Sequence, residues 1–451
     1  MGTVIRFGGL LVLTRVIGPE DFGVYAASLA ITGVLASICR FGSEVYLIRS
    51  VGERLADAED QAFSFLLVTS ASLVLAGVPI ALFADGRVES SQGLVTAAMV
   101  ASLPVNVLWV PAQARLERGL NYRRLAMVEL IGDLVLYGVA LPLAALGIGV
   151  WAAVAGYVAW QTWLLIGSVI AARYRPRWFW ERGLRQSLVR WGLTFSPSFW
   201  ALKGRDLVNP VVVGRAIGSV GVGQVALALR LADNAGLLQR ATSRLALPAL
   251  ARVQEDRGRL ERAHAEGMKV KVLGGGVPLL VLSLAGPTLI PLVFGEEWGD
   301  VSKVLPLISV YLMLEAPLSL HVSVLHVLGK NLLVAAARLS FLVAFFVAAF
   351  LLVTPLGVVG YGWAAIAATV PMLMLDPFVR PFLTPRYGPA MRWLIGLTPP
   401  MFIPVIGSPP AAVLLIPTLV VVLLPTSRRE LVEYGRLLAR SGRGSPSPDI
   451  A

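Results

Sequence analysis

Of the 451 residues in this chain, 56% are hydrophobic and only 15% charged, and the mean hydropathy is +0.74. Soluble domains average about 25% charged residues, so the composition excludes a soluble protein and places the chain in a bilayer. The net charge of +12 does not point to nucleic acid, because the basic residues sit in short loops between apolar runs, where they set topology.

Apolar runs long enough to span fall near 2 to 17, 22 to 39, 62 to 83, 91 to 112, 125 to 146, 149 to 172 and 191 to 213. They continue at 219 to 250, 270 to 294, 301 to 327, 331 to 353, 357 to 379, 391 to 407 and 410 to 425. The runs are continuous, whereas a barrel would alternate in segments of about ten residues, so the reading is helices. The first run, Phe7 to Ile17 after Arg6, has the length of a signal peptide, yet no small-x-small cleavage site follows. It is short against the ~20 residues a span needs, and the expectation is a first helix whose start lies upstream. Cys39, the single cysteine, sits in an apolar segment, so neither a disulfide framework nor a cysteine-based metal site is expected.

Loop charges test the division. With the amino terminus inside, the inside loops hold 28 of the 39 Lys and Arg residues, whereas the outside loops hold only Arg15, Arg87 and Arg215. That alternation predicts both termini in the cytoplasm. It also gives a repeated segment a position. Arg15 to Leu29 and Arg215 to Leu229 match at Arg, Ile, Gly, Gly, Ala and Leu, and both copies fall on outer turns six helices apart. An even spacing makes the halves parallel, a plan in which two lobes surround a central cavity.

The expected fold is an all-α polytopic membrane protein of about 14 helices, in two parallel six-helix lobes plus two extra helices. The expected divisions are an N-terminal lobe at 1–172, an inter-lobe cytoplasmic linker at 173–190, a C-terminal lobe at 191–380, helices 13 and 14 at 381–427, and a cytoplasmic tail at 428–451. In the linker, Trp178 to Val189 reads either as an amphipathic helix on the inner membrane surface or as an ordinary basic loop. Ser441 to Ala451, rich in Ser, Pro and Gly, reads as disordered.

Four pieces carry a family resemblance: R-x-I-G-P-E-D-F-G-x-Y at Arg15 to Tyr25, L-E-R-x-L-x-Y-R-R-L-A-x-x-E at Leu116 to Glu129, V-G-R-x-I-G at Val213 to Gly218, and F-G-E-E-W at Phe294 to Trp298. Together they resemble the polysaccharide-export (O-antigen flippase-like) branch of the multidrug/oligosaccharidyl-lipid/polysaccharide exporter superfamily, over most of the chain. The resemblance implies a MATE-like, two-lobed flippase of fourteen helices that moves a lipid-linked oligosaccharide, typically on undecaprenyl pyrophosphate, to the outer leaflet of the bacterial cytoplasmic membrane. A polysaccharide polymerase and glycosyltransferases would be its partners, alongside membrane lipids. The short first helix departs from the family.

Charges inside membrane helices cost a few kcal/mol by insertion scales and usually face water or one another. They gather in the seventh and eighth runs. The seventh holds Lys203, Arg205, Asp206 and Asn209, with Lys203 and Asp206 on one face. In the eighth, Arg230, Asp233, Asn234, Arg240 and Arg244 recur as one polar stripe. Guanidinium is permanently charged and grips phosphate oxygens with paired donors, so an arginine-lined cavity suits a pyrophosphate headgroup. The substrate-binding candidates are therefore Arg230, Arg240, Arg244, Lys203, Arg205 and Asn234. The alternative is that Arg230 with Asp233, and Lys203 with Asp206, are ion pairs holding helices in register.

Asp206, Asp233, Asp133, Glu315 and Asp376 are the candidates for carrying a coupling ion, since desolvation can bring a membrane carboxylate to titrate near neutrality. Pairing with an arginine, as of Glu315 with Arg338, is the competing role. His321 and His326 are five residues apart and off a common face, which argues against a metal site. No Gly-x-x-x-x-Gly-Lys-Ser/Thr motif is present, so no ATP hydrolysis and no cofactor are expected. Two other functions compete: a drug/ion antiporter of the same architecture, and a membrane sugar polymerase, ligase or glycosyltransferase. The enzyme would need an acidic catalytic loop outside the membrane, and the short outer loops offer only Glu20/Asp21, Asp85/Glu89 and Glu296/Glu297/Asp300.

Overall fold

A computed structural model describes residues 2–50, 54–83, 91–236, 250, 252–253, 256–407 and 409–431. Among these, secondary structure is helical throughout, and eight helices are long and apolar enough to cross a membrane. Two bent helix pairs are further candidates, Ser91–Ala101 with Leu103–Arg118 at 48° and Ala411–Leu423 with Pro425–Leu431 at 81°. In the first pair, Pro104 and Pro111 follow the bend and open new helical turns, where a missing N–H costs little.

The first two expected runs form one helical stretch, α1 (Gly2–Arg40), jointed at Gly18. With φ 76° and ψ 173°, Gly18 adopts a backbone conformation that a side chain resists, and Pro19 starts the second arm. The predicted outer turn is thus a sharp joint rather than a loop. After α2 (Ser43–Arg49) come α3 (Leu55–Phe83), α4 (Ser91–Ala101), α5 (Leu103–Val107), α6 (Val110–Arg118), α7 (Tyr122–Ala145) and α8 (Val150–Ala171).

The linker corrects the amphipathic reading over its first residues. Trp178 to Glu181 is not helical; its backbone is tied to α3 by Phe179 N–H donating to Ser64 Oγ at 2.9 Å and Glu181 N–H to Gln61 Oε1 at 2.7 Å. Side-chain acceptors on α3 satisfy these N–H groups in place of helical carbonyls. Helix α9 (Arg182–Gly204) then runs through the rest of the linker into the seventh run without a break. Beyond it the backbone tightens into a 3₁₀ turn at Arg205–Leu207 and widens into a π-turn at Asn209–Val213, where Pro210 lacks the N–H that a regular helix needs.

After the short α10 (Gly214–Ala216), α11 covers Ser219–Ala235; the expected continuation to 250 lies largely outside the described residues. Helix α12 (Arg257–Phe294) starts well before the predicted 270. The charged stretch Arg257 to Lys269, left outside the expected run, is the first turns of that helix, and Lys271 just beyond it is buried at 3% exposure. Charge had masked helix propensity there: Arg, Leu, Glu, Ala, Met and Lys are all good helix formers. The rest comprises α13 (Val301–Val327), α14 (Asn331–Leu356), α15 (Val358–Ala367), α16 (Leu375–Val379), α17 (Gly388–Leu397), α18 (Ile403–Ile406) and α19 (Ile416–Leu423).

The chain forms two compact units: Met1–Leu231 with Thr288–Leu305 and Gly329–Leu375, and Ala232–Pro287 with Pro306–Leu328 and Asp376–Ala451. In the first, α1 packs against α4, α7 and α9. In the second, small residues bring α12 close to its neighbours: a Cβ on Gly276 would lie 2.7 Å from both Met313 Cε and Leu397 Cδ1.

Candidate functional site

Two of the four sequence motifs meet in the first unit, next to the helix that follows the third. Phe22 is fully buried, with its ring 5.7 Å edge-on from the equally buried Trp298, so the Gly-Pro-Glu-Asp-Phe-Gly and Phe-Gly-Glu-Glu-Trp pieces form one core. Arg15 donates to the Val293 carbonyl at 3.0 Å, and Gln224 Nε2, just beyond the second repeat copy's turn, donates to the Glu297 carbonyl at 2.8 Å. These contacts are packing and hydrogen bonds at helix ends. The Leu116 to Glu129 motif places Arg118, together with Arg115, on the carboxylate of Glu59, which is 1% exposed. Arg118 also donates to the Leu47 carbonyl at 3.0 Å. Glu59 was not picked out from sequence, since it sits among the polar residues that begin α3.

Just inside that aromatic core stands Arg230, whose guanidinium lies 5.0 Å over the Phe22 ring and 5.9 Å from the Tyr25 ring. Aromatic faces hold a cation in place by their quadrupole without neutralising it. Tyr137 on α7 is within electrostatic reach of Arg230, Tyr25, Asp133 and Arg6. Its ring lies against Gly9, where a Cβ would come within 2.4 Å, and its hydroxyl donates to the Arg6 carbonyl at 2.9 Å. Arg6 Nε donates to Asp133 Oδ2 at 2.7 Å; the arginine side chain is 56% exposed and the aspartate 5%. Two guanidinium groups and two phenols therefore share one region with the Asp133 carboxylate, which is already engaged by Arg6. Such a set favours an anion.

The other candidates divide. Lys203 Nζ lies 3.4 Å from Asp206 Oδ2 and Arg205 Nε 3.8 Å from its Oδ1, so Asp206 is shared by two half-buried cations at the break after α9. Asn209 Nδ2 donates to the Val222 carbonyl at 3.1 Å and braces α11. In the second unit, Asn234 is half-buried and Asp233 exposed. Arg240 and Arg244 lie outside the described residues. Asp133 pairs with Arg6, which the sequence had only as an amino-terminal charge. Arg338 donates to Ser198 Oγ at 2.8 Å. Glu315 is within electrostatic reach of Lys271, whose Nζ donates to Ser319 Oγ at 2.5 Å.

Asp376 belongs to a further cluster in the second unit. One of its carboxylate oxygens accepts from the Tyr387 hydroxyl, and the other from Arg380 Nε at 2.6 Å. His321 Nε2 is 2.7 Å from the same Tyr387 oxygen, and the two rings stack at 5.8 Å. Burial, then the Asp376 carboxylate, push the Tyr387 phenol well up, which keeps its proton in place as a donor. Sequence spacing missed this group because its members come from three separate segments.

A model of the family described as "Polysaccharide biosynthesis protein" matches residues 12–303. Succinoglycan biosynthesis transport protein ExoT of Rhizobium meliloti (strain 1021) is 24% identical over 72% of this chain, and the match spans 66% of that protein, just under two thirds. Lipopolysaccharide biosynthesis protein WzxC of Escherichia coli (strain K12) is 26% identical over 83% of this chain and 76% of its own length. Among solved structures, lipid II flippase MurJ in an inward closed conformation superposes with a TM-score of 0.74 at 13% identity, covering 96% of this chain and 99% of that one. A multidrug resistance MATE family transporter of the MOP superfamily, inward-facing, gives 0.65 at 16% identity over 84% of this chain and 95% of that one. At such identities the structural likeness establishes the fold alone, the one that MurJ and the MATE transporter share. ExoT, MurJ and the MATE protein are by name a transport protein, a flippase and a transporter, not enzymes. The family match covers well over half of the sequence, and the chain belongs to the polysaccharide biosynthesis protein family.

Proposed function

We propose that this protein is a flippase that carries a polyprenyl pyrophosphate-linked oligosaccharide across the bacterial cytoplasmic membrane for polysaccharide export. Two lobes would open alternately to either side, with both termini in the cytoplasm. The observation that carries the reading is the region around Arg230, where a cation held by Phe22 and Tyr25 stands near Arg6 and Tyr137. Permanent positive charge suits a pyrophosphate that must leave water and enter the protein, and the Tyr137 hydroxyl would turn to it from the Arg6 carbonyl. Sugar hydroxyls would meet the phenols and amides, while the lipid tail stays in the bilayer. A polymerase and glycosyltransferases would supply and consume the cargo.

The MATE likeness favours one competitor, export of a drug in exchange for an ion. A cation exporter needs carboxylates facing its cavity, whereas Asp133 and Asp206 are engaged by Arg6, Lys203 and Arg205. Reconstitution into proteoliposomes with a fluorescent lipid-linked oligosaccharide decides between them. Protein-dependent movement of the label between leaflets supports the flippase; its absence, with uptake of cationic dyes, overturns it.

A further inference from the structure

The three contacts that join Pro317, His321, Tyr387 and Asp376 need one hydrogen each. His321 Nδ1 lies 3.2 Å from the Pro317 carbonyl, which can only accept, so that nitrogen carries a proton. His321 Nε2 faces the Tyr387 oxygen at 2.7 Å, and that oxygen faces Asp376 Oδ1. A neutral imidazole brings one hydrogen, a phenol one and a carboxylate none. Two hydrogens cannot satisfy three contacts.

From this count we infer that His321, Tyr387 and Asp376 form a binding site for one exchangeable proton. The count holds wherever the proton rests: an imidazolium donating to Tyr387, which donates to a carboxylate, or a carboxylic acid donating to Tyr387, which donates to a neutral imidazole. The site is wet at one end and dry at the other. The Asp376 side chain is 20% exposed and its partner Arg380 67%, whereas His321 is fully buried. Protons exchange at the carboxylate end, and the imidazole end is closed to solvent.

The neighbours fit a single-proton site. From α12, His264 presses its ring edge-to-face on His321 at 5.0 Å, is fully buried, and neither of its nitrogens has a hydrogen-bond partner among the described residues. Two adjacent imidazolium ions repel, so His264 stays neutral while the site is loaded and keeps water from His321. One turn earlier on α12, Glu261 is taken by the Thr384 N–H, Arg257 and Arg386. Lys271 and Glu315 lie further along α12 and α13, and His326 lies on α13 beyond His321. Loaded, the site ties α13 to α16 and to the residue that opens α17. Unloaded, one contact lacks its hydrogen and the tie loosens. Under the flippase reading, on which only this use depends, proton loading would couple that tie to the transport cycle.

The chain has three histidines, so ¹⁵N-histidine spectra of the full-length protein in lipid nanodiscs can be assigned with His264→Gln and His326→Gln variants. Carboxyl infrared bands report Asp376 through Asp376→Asn. Near neutral pH the wild type is expected to show either a doubly protonated His321 or a protonated Asp376, released in one step as pH rises. Tyr387→Phe removes the bridge and should lower that midpoint by about one pH unit, a tenfold loss of proton affinity; His264→Gln should leave the proton in place. A wild-type spectrum with singly protonated His321 and ionised Asp376 overturns the site even if no variant folds, as does an unmoved midpoint in Tyr387→Phe. For the coupling role, flipping that depends on a pH gradient in wild type but not in His321→Gln supports it, and gradient-independent flipping in wild type overturns it. A wild type that flips no lipid-linked oligosaccharide at any pH sinks the flippase reading and with it the coupling role, while the spectra still decide the proton site.

Discussion

Gly23 and Gly223 let the two repeat copies cross backbone against backbone. A Cβ on Gly23 would fall 1.8 Å from the Ser219 carbonyl oxygen, and one on Gly223 would fall 2.2 Å from that of Pro19. Each glycine therefore makes room for the turn that opens the other copy, which gives the duplicated Gly a steric reason. Neither turn can shift alone, because Phe22 and Gln224 beside them are anchored to Trp298 and the Glu297 carbonyl. Gly23→Ala and Gly223→Ala should each cost about 1–3 kcal/mol as overpacking, read as a fall in the melting temperature in detergent. Gly33→Ala, where a Cβ meets nothing within 4 Å, should be neutral. Equal stability of all three variants would remove the crossing as a constraint.

Glu59 makes a second structural prediction. Its buried carboxylate is the common acceptor for Arg115 and Arg118, and Arg115 also stacks on Tyr174 at 4.9 Å. Glu59→Gln leaves two cations facing a neutral amide. Because the arginines are 33% and 20% exposed, water screens part of the loss, and the expected cost is about 1–3 kcal/mol rather than the full penalty of a buried unpaired charge. Thermal melting checks it. The exposed pair of Arg54 with Glu181 serves as the contrast, and breaking it should change little.

Helical class was legible wherever apolar runs were uninterrupted, because bilayer-spanning backbone must satisfy its own hydrogen bonds. A break between the first two runs was legible too, since Gly and Pro act locally, whereas the bend near Pro104 falls inside the single expected run of 91 to 112. What stayed hidden depended on distance in sequence. Arg6 meets Asp133, Glu59 meets Arg115, and His321 meets Tyr387 and Asp376, none of which shares a helix with its partner. Periodicity ranks faces along one helix and is silent on which faces meet. Arg257 to Lys269 show the opposite failure: left outside the expected run because of their charge, they belong to a helix that starts at Arg257.

Asp133 and Arg6 separate ion coupling from pairing. A carboxylate that carries a coupling ion should change how transport depends on pH when neutralised, whereas a pairing residue should change stability. Given its engagement by Arg6, Asp133→Asn is expected to lower the melting temperature and leave the pH profile of flipping unmoved. A double-mutant cycle with Arg6→Gln should give a coupling energy on the order of 1 kcal/mol, modest because Arg6 is largely in solvent. A shifted pH profile in Asp133→Asn with unchanged stability would return it to the coupling role.

Arg230 tests the transport reading at its centre. Its charge is positioned by Phe22 and Tyr25, so Arg230→Lys retains a cation there but loses the planar fork that grips phosphate in pairs. If the residue binds a pyrophosphate, Arg230→Ala should slow flipping by at least about tenfold, equivalent to one charge-assisted hydrogen bond, and Arg230→Lys should fall between it and wild type. Lost packing against the rings predicts a different pattern. Both variants would then melt earlier by similar amounts, and flipping per folded molecule would not change. Measuring initial flipping rates and melting temperature on the same preparations separates the two, with Tyr137→Phe as a third point that keeps the ring and removes a donor. The pyrophosphate reading fails if Arg230→Ala, adjusted for folded protein, flips at the wild-type rate.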